Sequence, residues 1–314
     1  MKTILLLGGF GFIGSNILSY IDKHFIDTYK VIVFDKYPTH YHGLKFKCVK
    51  KVYAGDFSDE SNFSTIFQEN DIDFVIHSLS STVPITSQNA QYDVESNLIP
   101  TLKLLSVMDK HRVKNIIYLS SGGAIYGDYL QKVHNEQDAV YPKSSYGVVK
   151  LAIEKYLLSY AELYSFNTLI LRLSNPFGPY HYNDKQGLIN IAIRKALKKD
   201  ILQIWGSGNG IKDYIYIYDV CDIIFKLIKN GIHTNVLNVA SGSSYSVNEI
   251  VKYINKFIPD FRYEHIKASN IDVENFELDI TKLRKILAGY TFTPFELSIQ
   301  KTINWEKLQQ DKVE

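Results

Sequence analysis

Thr3-Ile4-Leu5-Leu6-Leu7-Gly8-Gly9-Phe10-Gly11-Phe12-Ile13-Gly14 is the stretch that decides how this chain folds. An apolar run breaks into glycines at positions 8, 11 and 14, and a pattern of helical period follows. Glycine at such a turn lets the backbone bend tightly and approach a pyrophosphate with no Cβ in between. The helix that opens there, through Phe12 and Ile13, aims unpaired N–H groups and a positive dipole end at the phosphates. Strand-to-helix turns use glycine without any ligand as well, so the next acidic residue matters. Asp35 closes the second apolar run, 21 positions after Gly14, close to the ~20 residues expected of an acid that accepts ribose hydroxyls. A carboxylate there repels a 2′-phosphate, so the cofactor reads as NAD rather than NADP, with Lys36 working slightly against that preference.

Working outward, residues 3–7, 30–34, 74–77, 115–119 and 168–173 read as core strands separated by helical patterns. That alternation is the mark of a parallel α/β sheet, in which ligands gather at the carboxyl ends of the strands. The expected fold is an α/β, Rossmann-type, doubly wound sheet with a smaller C-terminal substrate-binding domain. The NAD-binding domain is placed at 1–174, with returning segments near 212–240 (around 214–217 and 236–239), and the second domain at 175–314. In that second part 206–210 and 240–246 read as loops, and 247–257 as a helix.

The bulk numbers exclude several classes. With 314 residues, 46% hydrophobic and 22% charged, the chain can bury a sizeable core. A net charge of +2 is too small for a nucleic-acid surface. Lys45, Lys47, Lys50 and Lys51 read as a solvated strand edge. Cys48 and Cys221 match no disulfide framework or zinc spacing, as expected in a reducing cytoplasm. No apolar run reaches the ~18 residues of a membrane span. His40-Tyr41-His42 is the only close histidine pair and reads as a polar loop, so no metal is expected.

The chemistry sits in two further segments. Tyr146 and Lys150 occur in Ser144-Ser145-Tyr146-Gly147-Val148-Val149-Lys150, ahead of a strong helical pattern over 151–164. Spacing of i to i+4 puts both side chains on one helical face. An ammonium near a phenol is expected to lower a pKa that otherwise sits near ~10, making Tyr146 an acid/base for a hydroxyl proton. Ser120-Ser121-Gly122-Gly123-Ala124-Ile125-Tyr126-Gly127 leaves the fourth strand, where small and hydroxyl side chains would let a substrate approach closely. Each segment also has a bland reading: tyrosine pairs with lysine by chance in a chain with 23 tyrosines, and Ser/Gly runs form ordinary turns.

Taken together and in this order, the three segments resemble the extended short-chain dehydrogenase/reductases, in particular the UDP-glucose 4-epimerase-like branch of the NAD-dependent epimerase/dehydratases. Similar stretches run nearly to the end of the chain. The resemblance implies that Asp56 and Phe57 lie in an adenine-contacting turn, that Leu79 and Ser80 run along the cofactor, and that Asn97 and Pro176 belong to the same site. It implies that Asn175, Lys212 and Phe276 meet a nucleotide-sugar substrate, with Phe276 limiting the C2 substituent. It implies that Tyr146 takes the sugar 4-hydroxyl proton as hydride passes to NAD, with Lys150 on the nicotinamide ribose. A homodimer through 98–110 and 151–164 is also implied, with Leu104, Leu105, Leu157 and Leu158 suited to the interface.

The chain departs from the family pattern at points that bear on specificity. The family Ser/Thr that bonds the reacting hydroxyl aligns with Gly122, so Ser121 or Ser120 must substitute or the role is empty. Lys212 and Ser269 stand where relatives carry arginine on the substrate diphosphate, with Lys267 near the second. Lysine lacks the planar fork of arginine, so a carrier other than UDP stays open. Gly123-Ala124 replace the Asp-Glu pair of sugar 4,6-dehydratases, and the cysteine of 3,5-epimerase/reductases is absent. The readings left are a 4-epimerase, a 4-keto-sugar reductase, and a non-catalytic NAD-sensing protein.

Overall fold

The computed structural model describes residues 1–36, 45–82, 87, 89–127, 133–267 and 275–311. The expected His40-Tyr41-His42 loop and Ser269 lie outside the described residues.

Seven strands form the first sheet, in the order Asn235–Val239, Asn167–Leu173, Asn115–Ser121, Phe74–His77, Lys2–Leu7, Tyr29–Asp35 and Val49–Ala54. The six strands among them that the apolar runs predicted all start and end within two residues of the reading above. Lys2–Leu7 is central because Ile4 to Leu7 are wholly buried, and it pairs in parallel with both Tyr29–Asp35 and Phe74–His77. The order reverses between those two partners, which makes the ends of Lys2–Leu7 and Phe74–His77 the switch point where such sheets bind ligands. Val49–Ala54 is the outer strand, with Lys50 and Lys51 exposed. Lysines on an edge strand discourage pairing with another chain, the solvated edge that the basic stretch predicted.

Two segments reach the site from outside the sheet. Helix Ser145–Tyr164 starts where the Ser144 hydroxyl accepts the Gly147 N–H at 3.1 Å, and ends at Ser165, whose φ of 57° breaks the helical turn. The helix expected from residue 98 begins instead at Ile99 and runs to Lys110, preceded by a π-helical turn at Val94–Leu98. Such turns widen the backbone and often mark functional positions; this one carries Asn97.

By contact density the chain has two compact units, one of Met1–Gly127, Ala139–Arg172 and Cys221–Leu237, the other of Asp128–Asp138, Leu173–Val220 and Asn238–Glu314. Of the two stretches read as returning to the first sheet, 236–239 is part of its outer strand Asn235–Val239. The stretch around 214–217 is not: Ile211–Tyr216 pairs with Asn175–Phe177, Ser244–Ser246 and Asn275–Leu278 in a sheet of the second unit. Local pattern cannot choose between two sheets for a single apolar strand, which is why the sequence misplaces it. Ser244–Ser246 likewise corrects the loop reading of 240–246, since three residues are too few to show alternation. Helix Val247–Phe257 follows with a capping box between Ser246 and Glu249. Among the described residues no helix is long and apolar enough to cross a membrane.

Leu104, Leu105 and Leu157 are fully buried in the core of the first unit, with Leu158 packed against it. They therefore serve the monomer core and are not available as the interface leucines expected above. The apolar residues these helices do leave exposed are Ile99, Val148, Tyr156, Leu163 and Tyr164.

Candidate active site

The glycine loop is fixed by close approach. Gly8 has φ +73°, a left-handed conformation that suits glycine, and its N–H donates to Phe34 O at 2.9 Å. A Cβ on Gly14 would stand 2.2 Å from Gly8 O, so the helix can start against the loop only if that residue has no side chain. Gly11 is the N-cap of helix Phe12–His24, and no side chain caps its first turn. The amides there point where an anion would be held.

Asp35 is buried, and its Oδ2 accepts the Phe10 N–H at 3.0 Å. The expected ribose acid is thus also a strut for the glycine loop. Lys36, read as a mild argument against NAD, pairs with Asp56 at 2.7 Å. Asp56 also accepts the Ser58 N–H at 2.9 Å, and Lys36 and Ser58 together hold its carboxyl well below the usual range. Phe57 is a core ring, edge-on to His77 at 5.3 Å, so only its backbone is left for a ligand.

Across the switch point the Ser78 hydroxyl donates to Leu7 O at 2.6 Å, and Leu79 packs so closely on Gly8 that a Cβ there would lie 3.0 Å from its Cα. The following loop is tied down by Asn97, whose Oδ1 accepts the Ser81 N–H at 2.7 Å. Asn97 therefore acts by shaping the loop that carries Leu79 and Ser80. All three line one cleft with His77, Tyr118, Tyr146 and Lys150.

Tyr146 and Lys150 meet there as their spacing predicts. The Tyr146 N–H donates to Ser87 Oγ at 2.8 Å, and Ser87 in turn donates to the buried Asp93. The Ser121 side chain stands near the Tyr146 phenol and acts to lower its pKa. Lys150 is buried, and its Nζ donates to Leu119 O at 3.0 Å. That nitrogen stands 4.7 Å from the Tyr118 ring centre and 5.7 Å from that of Tyr146.

The electrostatics differ from the expectation. Burial pushes the Tyr146 phenol up to about 12, with Ser121 opposing it. Lys150 was expected to lower this pKa; its ammonium is instead turned to the Leu119 carbonyl, and burial dominates the phenol. Burial also pulls Lys150 itself down to about 8, with Glu154 opposing. His77 is held neutral, at about 3, by burial and then by the Lys150 charge.

Gly122 opens the four-residue helix Gly122–Ile125 and is buried. It brings no hydroxyl to the cleft, and of the two serines before it Ser121 is the one on Tyr146. The Ser120 hydroxyl is buried without a hydrogen-bond partner, as are Tyr118 OH, His77 Nδ1 and Thr82 Oγ1. Sequence reading missed Tyr118 and Thr82 as lining residues, because a tyrosine inside an apolar strand reads as packing. It also missed Glu154 and Arg172, which form a buried pair with contacts of 2.7, 3.1 and 3.2 Å. A carboxylate four residues after Lys150, amid Val149, Ile153 and Leu157, was the available signal.

The second unit holds the other expected residues. Asn175 Nδ2 donates to the backbone oxygen of Asp213 at 2.8 Å, and Pro176 stands opposite Ile215 in the strand pairing. Lys212 lies in register between Tyr245 and Phe276 on the flanking strands, so the three side chains share a face. Phe276 is buried and stacked on His134 at 5.8 Å. The buried Asp213 carboxylate gathers Ser174 Oγ, Ser241 N–H and Gly242 N–H at 3.0 to 3.2 Å. Burial nevertheless raises it to about 7.

Residues 4–240 match the family model described as the NAD dependent epimerase/dehydratase family. The chain belongs to that family.

Members of this epimerase/dehydratase family that resemble the chain differ in their named activities. A protein of Methanocaldococcus jannaschii, provisionally named a UDP-glucose 4-epimerase, is 32% identical over 315 residues, covering 97% of this chain and 98% of its own. A dTDP-4-dehydro-6-deoxyglucose reductase of Escherichia coli is 29% identical over 255 residues, 80% of either chain. Among solved structures, the UDP-glucose 4-epimerase of Thermotoga maritima with UDP-glucose superposes with a TM-score of 0.87 at 26% identity, covering 98% of this chain and 100% of that one.

NAD is the cofactor of this family, and the residues of the first unit fit it. The uncapped helix start, the side-chain-free approach at Gly14 and the buried Asp35 suit a pyrophosphate and a ribose. The Tyr118 hydroxyl, buried without a partner, and the Lys150 ammonium offer hydrogen bonds in the cleft that follows.

Proposed function

We propose that this protein is an NAD-dependent 4-epimerase of a nucleotide-linked sugar that works through a transient 4-keto intermediate. The observation that carries the reading is the Tyr146 phenol in one cleft with the Lys150 ammonium, 5.7 Å from its ring centre. One phenol can move one proton. The segment Gly122–Ile125 has no carboxylate or thiol, so the elimination and double-epimerisation chemistry of other family branches has no acid/base group there.

Bound NAD supplies the hydride acceptor and, in its oxidised form, a positive charge that favours the phenolate against burial. Tyr146 then takes the proton of the sugar 4-hydroxyl, and the same phenol returns it after the keto sugar has turned over in the pocket. Ser121 holds the phenol oxygen and supports its anionic form. Lys150 keeps a positive charge beside the two. Asn175 and Lys212 are assigned to the sugar nucleotide, with the lysine gripping a phosphate as a point charge. Phe276, buried on His134, narrows rather than gates the C2 region, so N-acetylated sugars are expected to turn over more slowly.

The reductase likeness favours one second reading, a nucleotide-4-keto-sugar reductase using the same Tyr146 and Lys150. Incubation of the pure protein with UDP-glucose, and separately UDP-galactose, with no added cofactor or reductant separates the two. Interconversion supports the epimerase; turnover only with added reduced cofactor and a keto sugar supports the reductase. If neither UDP-sugar reacts, the same assay with other nucleotide or lipid-diphosphate carriers tests the departure at Lys212.

Ser121→Ala is expected to reduce kcat by roughly tenfold or more, the worth of one hydrogen bond to a charged group. Ser120→Ala is expected to be nearly silent in kcat, which steady-state assays of both variants check. We also infer a homodimer through the exposed faces of Ile99–Lys110 and Ser145–Tyr164, built on Ile99, Val148, Tyr156 and Leu163 rather than on the buried leucines. Light scattering is expected to give twice the chain mass of 36.0 kDa, and a monomer at micromolar concentration contradicts it.

A further inference from the structure

Helix Ser145–Tyr164 carries a third polar side chain on the line that begins with Tyr146 and Lys150. Glu154 lies one further turn along and is 1% exposed, a depth that is costly for a carboxylate unless it is paired. It is held in place by Arg172, whose Nε donates to Oε1 at 3.1 Å and whose Nη2 donates to Oε2 at 2.7 Å. Arg172 is fixed in turn by donating from Nη1 to Tyr126 OH at 2.8 Å. A buried ion pair adds little to stability when compared with an apolar pair of the same size. Its presence behind the site calls for another account.

Lys150 supplies one. Its Nζ donates to a neutral acceptor, the Leu119 carbonyl, in surroundings that favour loss of the proton. The groups that face it are His77 and Tyr118 from the neighbouring strands and Tyr146 and Glu154 from its own helix. His77 is neutral, and neither phenol is ionised near neutral pH. Glu154 is the negative charge in that set. Spacing of i to i+4 on the same helix puts its carboxylate on the face that carries Lys150.

We propose that Glu154, pinned by Arg172 and Tyr126, is a positioning residue for the reaction: it keeps the buried Lys150 ammonium charged and directed at the strand end beside Tyr146. This rests on the roles given to Tyr146 and Lys150 under the proposed function. The charge on Lys150, however, is measurable without turnover. The direction of the effects on Lys150 agrees, with burial drawing it down to about 8 and Glu154 acting against that fall.

Two measurements made side by side test the proposal: the pH profile of kcat, and the pH at which Lys150 becomes reactive to an imidoester, read by mass spectrometry of the purified protein. An imidoester modifies only the neutral amine. Glu154→Gln is expected to shift both the alkaline limb of kcat and the onset of Lys150 modification down by about one pH unit or more. Because that variant leaves Arg172 buried and unpaired, it can fail to fold. The double variant Glu154→Leu with Arg172→Met removes both charges and keeps an apolar fill. It is expected to fold and to shift both profiles in the same direction, by less than Glu154→Gln because no bare arginine remains. Glu154→Asp keeps the charge and is expected to restore most of the profile. Folded variants whose Lys150 reacts at the same pH as in the parent overturn the proposal and leave Glu154 a packing residue. A shift in Lys150 reactivity in a protein that epimerises no sugar sustains the positioning role while overturning the proposed function.

Discussion

Tyr146→Phe is expected to lower C4 interconversion by roughly 100- to 10,000-fold, the usual worth of a positioned general acid/base. The change removes one hydroxyl and little else. The bond that seats the residue is made by its backbone N–H to Ser87, and the ring keeps its place in the cleft beside Lys150. Fold, melting temperature and bound NAD are therefore expected to match the parent protein. Steady-state kinetics and the absorbance of purified protein near 260 nm check the two halves separately. A non-catalytic NAD-binding protein gives the opposite pattern, because its ligand-linked behaviour would survive loss of the phenol.

The second large effect falls on the cofactor rather than on the chemistry. Gly14→Ala places a Cβ 2.2 Å from Gly8 O and 2.7 Å from the Gly9 backbone. Backbone atoms on either side cannot swing away as a flexible side chain would, so the loop or the helix start must shift. Overpacking of this kind costs at least about 1–3 kcal/mol, and here it is borne by the turn that should hold a pyrophosphate. The variant is expected to purify without NAD and with a lowered melting temperature. Calorimetric titration with NAD checks the first point: binding at parental affinity would remove the glycine loop from the cofactor site.

How much of this was legible in the sequence depends on how local each feature is. The Lys2–Leu7 strand, the glycines after it and Asp35 are contiguous or nearly so, and their spacing carries the physics directly. Tyr146 and Lys150 were legible for the same reason, since one helical turn fixes their shared face. Strand Ile211–Tyr216 was misplaced because its partners, Asn175–Phe177 and Asn275–Leu278, lie tens of residues away in the chain. The interface role of Leu104, Leu105 and Leu157 failed similarly. An apolar helical stripe is the same whether a core or a second subunit covers it, and the core took these three.

The charge state of the site was the least legible part. Spacing says that Lys150 is near Tyr146, but not that its proton is committed to Leu119 O or that burial raises the phenol to about 12. Both follow from the depth of the cleft. Nor does a motif report the Asp93–Ser87–Tyr146 chain, whose last link joins residues 59 apart in sequence. The choice of Ser121 over Ser120 is of the same kind. It was left open by the residues and depends on where strand Asn115–Ser121 ends and the turn of Gly122–Ile125 begins.

The most direct test of the central claim is to follow UDP-glucose carrying deuterium at C4, incubated with the pure protein and no added reductant, by mass spectrometry and proton NMR. UDP-galactose with the label kept at C4 is expected, because the hydride that leaves the sugar returns to the same carbon while Tyr146 moves only the hydroxyl proton. Conversion with the C4 label lost to solvent would contradict it.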